Sequence, residues 1–228
     1  MTACISLTTI PDRIAHIEPI LAALCGQGLP VYLWPVERIK RSATELVLPG
    51  FLSDYPVTVR VVKDRGPLTK LLPALRLDYD YVLTADDDVL YGEGWAAGLL
   101  AWAEKLPGAA LAYRGRVLTG QGYTKSKLVQ YYRVKKAVPV DILTGVFGAL
   151  YPRAAFARSI FTEWRAWTTN DDLVIAAHLK ARNVPRYVVP GKCKIHVTGV
   201  QKVTALCAVN RRKGDQRNDA GLKKLGLE

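Results

Sequence analysis

The stretch YVLTADDDVLY, Tyr81 to Tyr91, runs from an apolar strand pattern into three consecutive aspartates, Asp86, Asp87 and Asp88. Adjacent carboxylates repel, and at the mouth of a sheet water screens that repulsion only in part. A hard divalent ion such as Mg2+ or Mn2+ relieves it, because such ions take oxygen ligands and share them with phosphates. With strand alternation continued, Asp86 and Asp88 face one side and Asp87 the other. One side can then hold a metal while the other holds the organic part of a ligand. The plain alternative is a solvated acidic turn.

Outward from this stretch, strand and helix patterns alternate. ACISLT (3–8), VYLWPV (31–36), VTVRVV (57–62), YVLTA (81–85) and ALAYRG (110–115) read as strands. RIAHIEPILAALCGQ (13–27) carries Ile14, Ile17, Leu21 and Leu24 at helical spacing, with Pro19 at a kink or in the first turn. TKLLPALRL (69–77) and GWAAGLLAWAEKL (94–106) read as further helices. Strands separated by helices over this length predict an α/β fold, an open, mainly parallel sheet covered on both faces.

The second half is less regular. Residues 115–135 are polar, basic and tyrosine-rich and read as a long loop or hairpin, and VPVDILTGVFGALY (138–151) has strand character broken by Gly145 and Gly148. DDLVIAAHLKAR (171–182) is a helix with Asp171 and Asp172 at its positive end. RYVVP follows as a strand, and RRKGDQRNDAGLKK reads as a mobile basic tail. The expected organisation is one catalytic domain over residues 1–200 and a basic C-terminal segment over 201–228.

The 228 residues are half hydrophobic, enough for a full globular core, and carry a formal charge of +12. That excess favours an anionic partner: nucleotide phosphate, an acidic membrane surface, an acidic glycan or nucleic acid. Cys4, Cys25, Cys193 and Cys207 lack zinc-like or CxxC spacing and fit a reducing compartment. The N-terminus has no signal-peptide pattern and no apolar run reaches membrane-spanning length, so a cytoplasmic protein is expected.

Ligands of open α/β sheets bind beyond the carboxyl ends of the strands. Thr8–Arg13, Asp64–Lys70 and Asp86–Asp88 all follow strands and should meet on one rim. There the residues become specific. TTIPDR after the first strand, DRGPLTKLLPAL after the third, TADDDVLY after the fourth, NDDLVIAAHL and a late histidine resemble the GT-A class of nucleotide-sugar glycosyltransferases. The resemblance covers residues 3 to about 200 and is nearest to small bacterial or viral enzymes and exostosin-like domains.

It implies a Rossmann-like sheet with a smaller mixed sheet on the acceptor side, and sugar transfer from a UDP-sugar to a glycan or lipid-linked glycan in surface polysaccharide synthesis. By resemblance, Asp86 faces the ribose or base beside Asp87, and Asp88 with Asp86 coordinates Mn2+ or Mg2+. His196 would be a further metal ligand or a plain surface histidine. Thr8, Thr9, Pro11 and Arg13 stand where such enzymes meet the nucleoside, though they also read as a helix entry. Asp64 stands where the base is read, and Arg65 or Lys70 would offset phosphate charge. Gly145 and Gly148 would admit the donor sugar or mark a bulge. Asp172 is first choice as general base with Asp171 positioning substrate, against a reading of both as helix caps. Trp34, Tyr91, Trp95, Trp164 and Trp167 are stacking candidates, and Lys202 could close over a diphosphate.

Two rivals remain. RGPLTKLLPAL echoes the signature of sugar nucleotidyltransferases, but follows the third strand where theirs follows the first. A nucleic-acid-binding module would use the positive charge but leave the aspartates unexplained; no nucleic-acid partner is expected. The basic surface could hold the protein peripherally at an anionic membrane.

Overall fold

A computed structural model describes residues 1–39, 42–163, 165, 167, 170–198 and 216–228. The chain folds on an eight-stranded sheet. Four strands from the first half, β1 (Ala3–Thr9), β2 (Val31–Pro35), β3 (Val57–Val59) and β4 (Tyr81–Ala85), run parallel in the order β3-β2-β1-β4. The short β5 (Val89–Tyr91) leaves this sheet just after the aspartates. The remainder of the large sheet is β6 (Ala110–Ala112), β9 (Val138–Pro139), β11 (Ala149–Pro152) and β12 (Arg186–Val188), in the order β4-β11-β6-β12-β9. Here β11 is antiparallel to both neighbours, whereas β6 and β12 are parallel. β7 (Arg114–Val117), β8 (Lys127–Gln130) and β10 (Ile142–Leu143) form a second sheet, antiparallel throughout where a mixed one was expected. β13 (Ile195–Val197) pairs antiparallel with β5.

Alternation along the strands separates two apolar layers. Ile5 and Leu7 of β1 with Leu83 and Ala85 of β4 face α1 (Glu18–Cys25) and α2 (Trp95–Lys105). Cys4 and Val82 face the other way, onto Leu68, Leu71, Leu72 and Leu75 and onto Val174, Ile175 and Leu179 of a later helix. Pro19 sits in the first turn of α1, where its missing N–H costs no hydrogen bond. Cys4, Cys25 and Cys193 are free cysteines, and Cys207 lies outside the described residues.

Three sequence expectations change. TKLLPALRL forms two separate 3-10 turns, Leu68–Lys70 and Ala74–Arg76, instead of one helix. Pro73 removes a donor and crowds the carbonyl four residues earlier, so a continuous α-helix is broken there. VTVRVV pairs as a strand only over Val57–Val59, with one isolated bridge at Val62. The C-terminal segment read as a mobile tail contains a docked helix. After α3 (Ile160–Glu163) and α4 (Asp171–Ala181), α5 (Gln216–Lys224) buries Leu222, with Leu227 beyond it, against Leu173, Tyr123 and Ile142. Its leucines escaped notice because lysines and arginines dominate the local composition.

Candidate functional site

β4 ends at Ala85, so the aspartates stand in a turn and the alternation expected of them does not continue. Asp87 and Asp88 instead share one partner: Arg13 Nη1 lies 2.8 Å from Asp87 Oδ1 and 3.0 Å from Asp88 Oδ2. Thr9 Oγ1 donates to Asp87 Oδ2 at 2.8 Å. Asp86 turns the other way, to Lys70 Nζ at 2.6 Å. The same ammonium lies 3.0 Å from Asp171 Oδ2, tying the aspartate turn to the start of α4.

Lys70 holds this position because its own backbone is held. Ser6 on β1 donates its hydroxyl to the Lys70 carbonyl, and Trp34 Nε1 donates to Ser6 Oγ at 2.8 Å. Gly66, at φ 65, makes the turn that brings the segment round, and Thr69 Oγ1 accepts the Arg65 N–H at 2.9 Å. Lys70 is 4% exposed. Burial alone would lower its pKa, but Asp171, Asp86 and Asp172 hold it well above the ordinary lysine range. It is a fixed internal cation.

Asp172 completes the cluster. Its Oδ1 accepts the Gly145 N–H at 2.9 Å. A Cβ on Gly145 would lie 3.1 Å from Lys70 Nζ and 3.4 Å from Asp172 Oδ1, so a side chain there would crowd both groups. Helix α4 is capped by Asn170, whose Oδ1 accepts the Leu173 N–H at 3.4 Å, which leaves Asp171 and Asp172 to the site. Asn170 was legible as a cap from residue type, and sequence reading passed over it. Tyr91 was also missed in its real role: its buried hydroxyl accepts the Asp86 N–H at 2.8 Å.

Five carboxylates, Asp86, Asp87, Asp88, Asp171 and Asp172, therefore face two cations, Arg13 and Lys70. The imbalance is felt in the titration of Asp86, Asp88 and Asp172. Burial, then Asp86 and Asp87, pushes the Asp88 carboxyl up to about 7. Burial with Asp171 alongside pushes Asp172 up to about 7 as well. Burial raises Asp86 too, against the pull of Lys70.

Other residues singled out in the sequence lie apart from this cluster. Thr8 donates its hydroxyl to the Trp34 carbonyl at 2.7 Å, and Pro11 is buried beside it in the chain. Asp64 is exposed and accepts the Gly66 N–H of its own turn at 2.7 Å. Arg65 is partly exposed, with Arg76 and Arg165 as charged neighbours. Gly148, at φ 82, lies against the indole of Trp95, leaving no room for a Cβ. Trp34 and Trp95 are buried, which removes them as surface stacking platforms. His196 is exposed on β13 opposite Leu90, and Thr198 N–H and Oγ1 donate to the Asp88 carbonyl at 2.7 and 2.9 Å. Trp164 and Lys202 lie outside the described residues. No helix among the described residues is long and apolar enough to cross a membrane.

No protein-family model matches the chain, and no curated protein matches it. Solved structures do. The chain is similar to S. aureus TarS residues 1–349 in complex with UDP-GlcNAc, at 14% identity and a TM-score of 0.59, covering 100% of this chain and 71% of that one. The complex of the same fragment with UDP gives 15% identity and a TM-score of 0.59, covering 100% and 70%. Against a longer S. aureus TarS structure, at 14% identity and a TM-score of 0.58, this chain spans 42% of the other. At such identities the likeness is one of fold.

Proposed function

We propose that this chain is a metal-dependent glycosyltransferase of the GT-A class that moves a sugar from UDP-sugar to a hydroxyl of a glycan or lipid-linked glycan. The observation that carries the reading is the cation-poor carboxylate cluster just beyond the carboxyl ends of parallel strands β1 and β4. It supports a donor site, and the fold is shared with a protein crystallised with UDP-GlcNAc and UDP.

Five acids against two cations supply oxygen ligands that would suit a divalent cation, but among the described residues no three such side chains converge as a ready-made cluster, because Arg13 and Lys70 draw the carboxylates to opposite sides. Asp88 and Asp86 would hold it once Asp86 swings from Lys70 toward Asp88, and the exposed His196 would join them only by a change of rotamer or backbone. Its oxygen-rich set accepts Mn2+ or Mg2+. When bound, such an ion supplies Lewis-acid stabilisation to the departing diphosphate.

The chain's own residues do the rest. Arg13 and Thr9 hold Asp87 and Asp88 in fixed orientation, and Lys70 holds Asp86 beside Asp171. Asp172, half-buried at the helix start, takes the proton of the acceptor hydroxyl as that oxygen bonds to the anomeric carbon. The bond from that carbon to the diphosphate breaks, and UDP leaves with the electron pair. Asp171 positions the acceptor, and Gly145 keeps the donor side open. The basic surface would keep the protein near anionic lipid-linked acceptors as a peripheral membrane protein on the cytoplasmic side.

A screen of nucleotide sugars for Mn2+-dependent hydrolysis tests the reading. UDP release from at least one UDP-sugar is expected, and its absence in the wild type together with no UDP binding would defeat the proposal.

A further inference from the structure

A second concentration of charge, opposite in sign, lies on the flank of the sheet that carries the two 3-10 turns. Arg65 stands in the turn that leads to Lys70, at the rim. Arg76 ends the second 3-10 turn and lies over the Phe161 ring at 4.7 Å. Phe161 in turn lines a cavity of about 320 Å³ together with Leu75, Phe156, Arg153 and Arg158. Arg165 follows in the connection to α4, close enough to Arg65 for the two charges to repel.

The topology turns these residues into a line. β11 runs antiparallel to β4 and ends with Pro152 opposite Tyr81, and the Arg153 N–H donates to the Asp80 carbonyl at 2.8 Å. Arg153 therefore stands at the opposite end of β4 from the aspartates. Five residues of strand separate those ends, roughly 16 Å at about 3.3 Å per residue. The arginines thus descend from the catalytic rim, at Arg65, to the opposite end of the central strands, at Arg153.

Among the described residues, acidic compensation around Arg76, Arg153 and Arg158 is thin. Asp78 pairs with Arg153 at 3.2 Å and is fully exposed, the exposed Asp80 also faces Arg153, and Glu163 is taken by His178 Nδ1 at 2.5 Å. The floor is apolar, formed by Leu75, Phe156 and Phe161.

We propose that this flank is a track for an extended anionic acceptor glycan, one bearing phosphate or carboxylate groups at intervals. The inference rests on the transferase reading above and names its acceptor class. Guanidinium groups spaced along the flank match repeated anions, and Leu75, Phe156 and Phe161 give the cavity among them apolar walls. A lipid surface fits less well, because among the described residues the exposed large apolar ones, Met1, Val47, Leu48, Val61, Leu128, Tyr132 and Val197, fall outside residues 65–80 and 153–165. Single-stranded nucleic acid calls for open aromatic faces, and here Arg76 covers the ring of Phe161.

Binding titrations at low ionic strength test the track. The probes are poly(glycerol phosphate), polygalacturonate, neutral dextran, phosphatidylglycerol vesicles and an RNA homopolymer. The variants are the triple R76Q/R153Q/R158Q and the single Arg158→Glu, whose exposed side chain has no partner among the described residues. The expected result is binding of at least one anionic glycan but not dextran, weakened roughly tenfold or more in the triple variant and falling steeply with salt. Arg158→Glu should weaken it in the same direction with unchanged thermal stability, which separates the effect from misfolding. The phosphate and carboxylate polymers identify the anion. UDP affinity should be unchanged in both variants, and absence of UDP binding in the wild type would sink the transferase reading separately. Equal glycan binding by wild type and variants overturns the track, as does arginine-dependent binding to vesicles or RNA in place of glycan.

Discussion

The acidic rim and the basic flank use charge in opposite ways. At the rim each cation is shared between two carboxylates: Arg13 between Asp87 and Asp88, and Lys70 between Asp86 and Asp171. On the flank Arg76, Arg153 and Arg158 are exposed; Arg153 meets solvent-facing acids and Arg76 an aromatic ring. Charges locked to one another define a geometry before any ligand arrives. Charges left facing water supply attraction without fixing a shape. Removal of a rim cation should therefore damage stability and chemistry together, and flank substitutions should spare stability and UDP binding.

Lys70→Met is the strongest way to break this contrast. It leaves Asp86 and Asp171 without their shared cation and should cost about 3–5 kcal/mol, read from the urea midpoint. A loss as small as that of a surface substitution would mean that the ammonium fixes nothing. Next come the carboxylates. Asp172→Asn should lower transfer by roughly 10²–10⁴-fold while leaving UDP affinity intact, as expected for removal of a general base. Asp88→Ala should abolish both turnover and metal-dependent UDP binding, and full activity in that variant would dismiss Asp88 as a metal ligand.

A pH series sharpens the comparison further. Asp172 rises from the ordinary 3.8 to about 7 on folding, so across that interval the folded chain holds more protons than the unfolded one. Stability contributed by this group is present below pH 4 and declines as pH climbs to about 7. The Tm advantage of Asp172→Asn over wild type should widen across that window and then level off. Transfer by the wild type should increase over the same window, because the base acts only when deprotonated. The smallest effect is expected on the flank: Arg76→Gln should change stability by no more than about 1 kcal/mol, the value of an exposed cation–π contact.

Much of the first half was legible because period and length agree there. Ile5 and Leu7 alternate with Cys4 and Ser6, and both faces of β1 are covered as a parallel strand requires. The meeting of Thr9, Arg13, Lys70 and the aspartates could be anticipated, since segments at the carboxyl ends of neighbouring strands share a rim. The pairing within that rim could not. Once β4 stops at Ala85, backbone dihedrals in a turn decide where Asp86 points, and residue order carries no record of them. The two 3-10 turns were misread as one helix because Leu68, Leu71, Leu72 and Leu75 are buried at helical spacing in either case, and Pro73 alone distinguishes them. Apart from Arg65, read as a phosphate partner, the flanking arginines were seen only as net charge, since their alignment depends on β11 running opposite to β4.

The docked C-terminal helix gives the end of the chain a hold on the chemistry. Asn218 Oδ1 accepts from Asn170, the residue that caps α4, at 2.9 Å, and Asp219 Oδ1 accepts the Tyr123 N–H at 2.5 Å. Gly221 meets Leu173 and Trp167 with no room for a Cβ. Trimming the final thirteen residues, or fusing a bulky partner to Glu228, would loosen the scaffold under Asp172 from a distance. Activity lost on truncation would then be a failure of support, recoverable by supplying the missing peptide in trans.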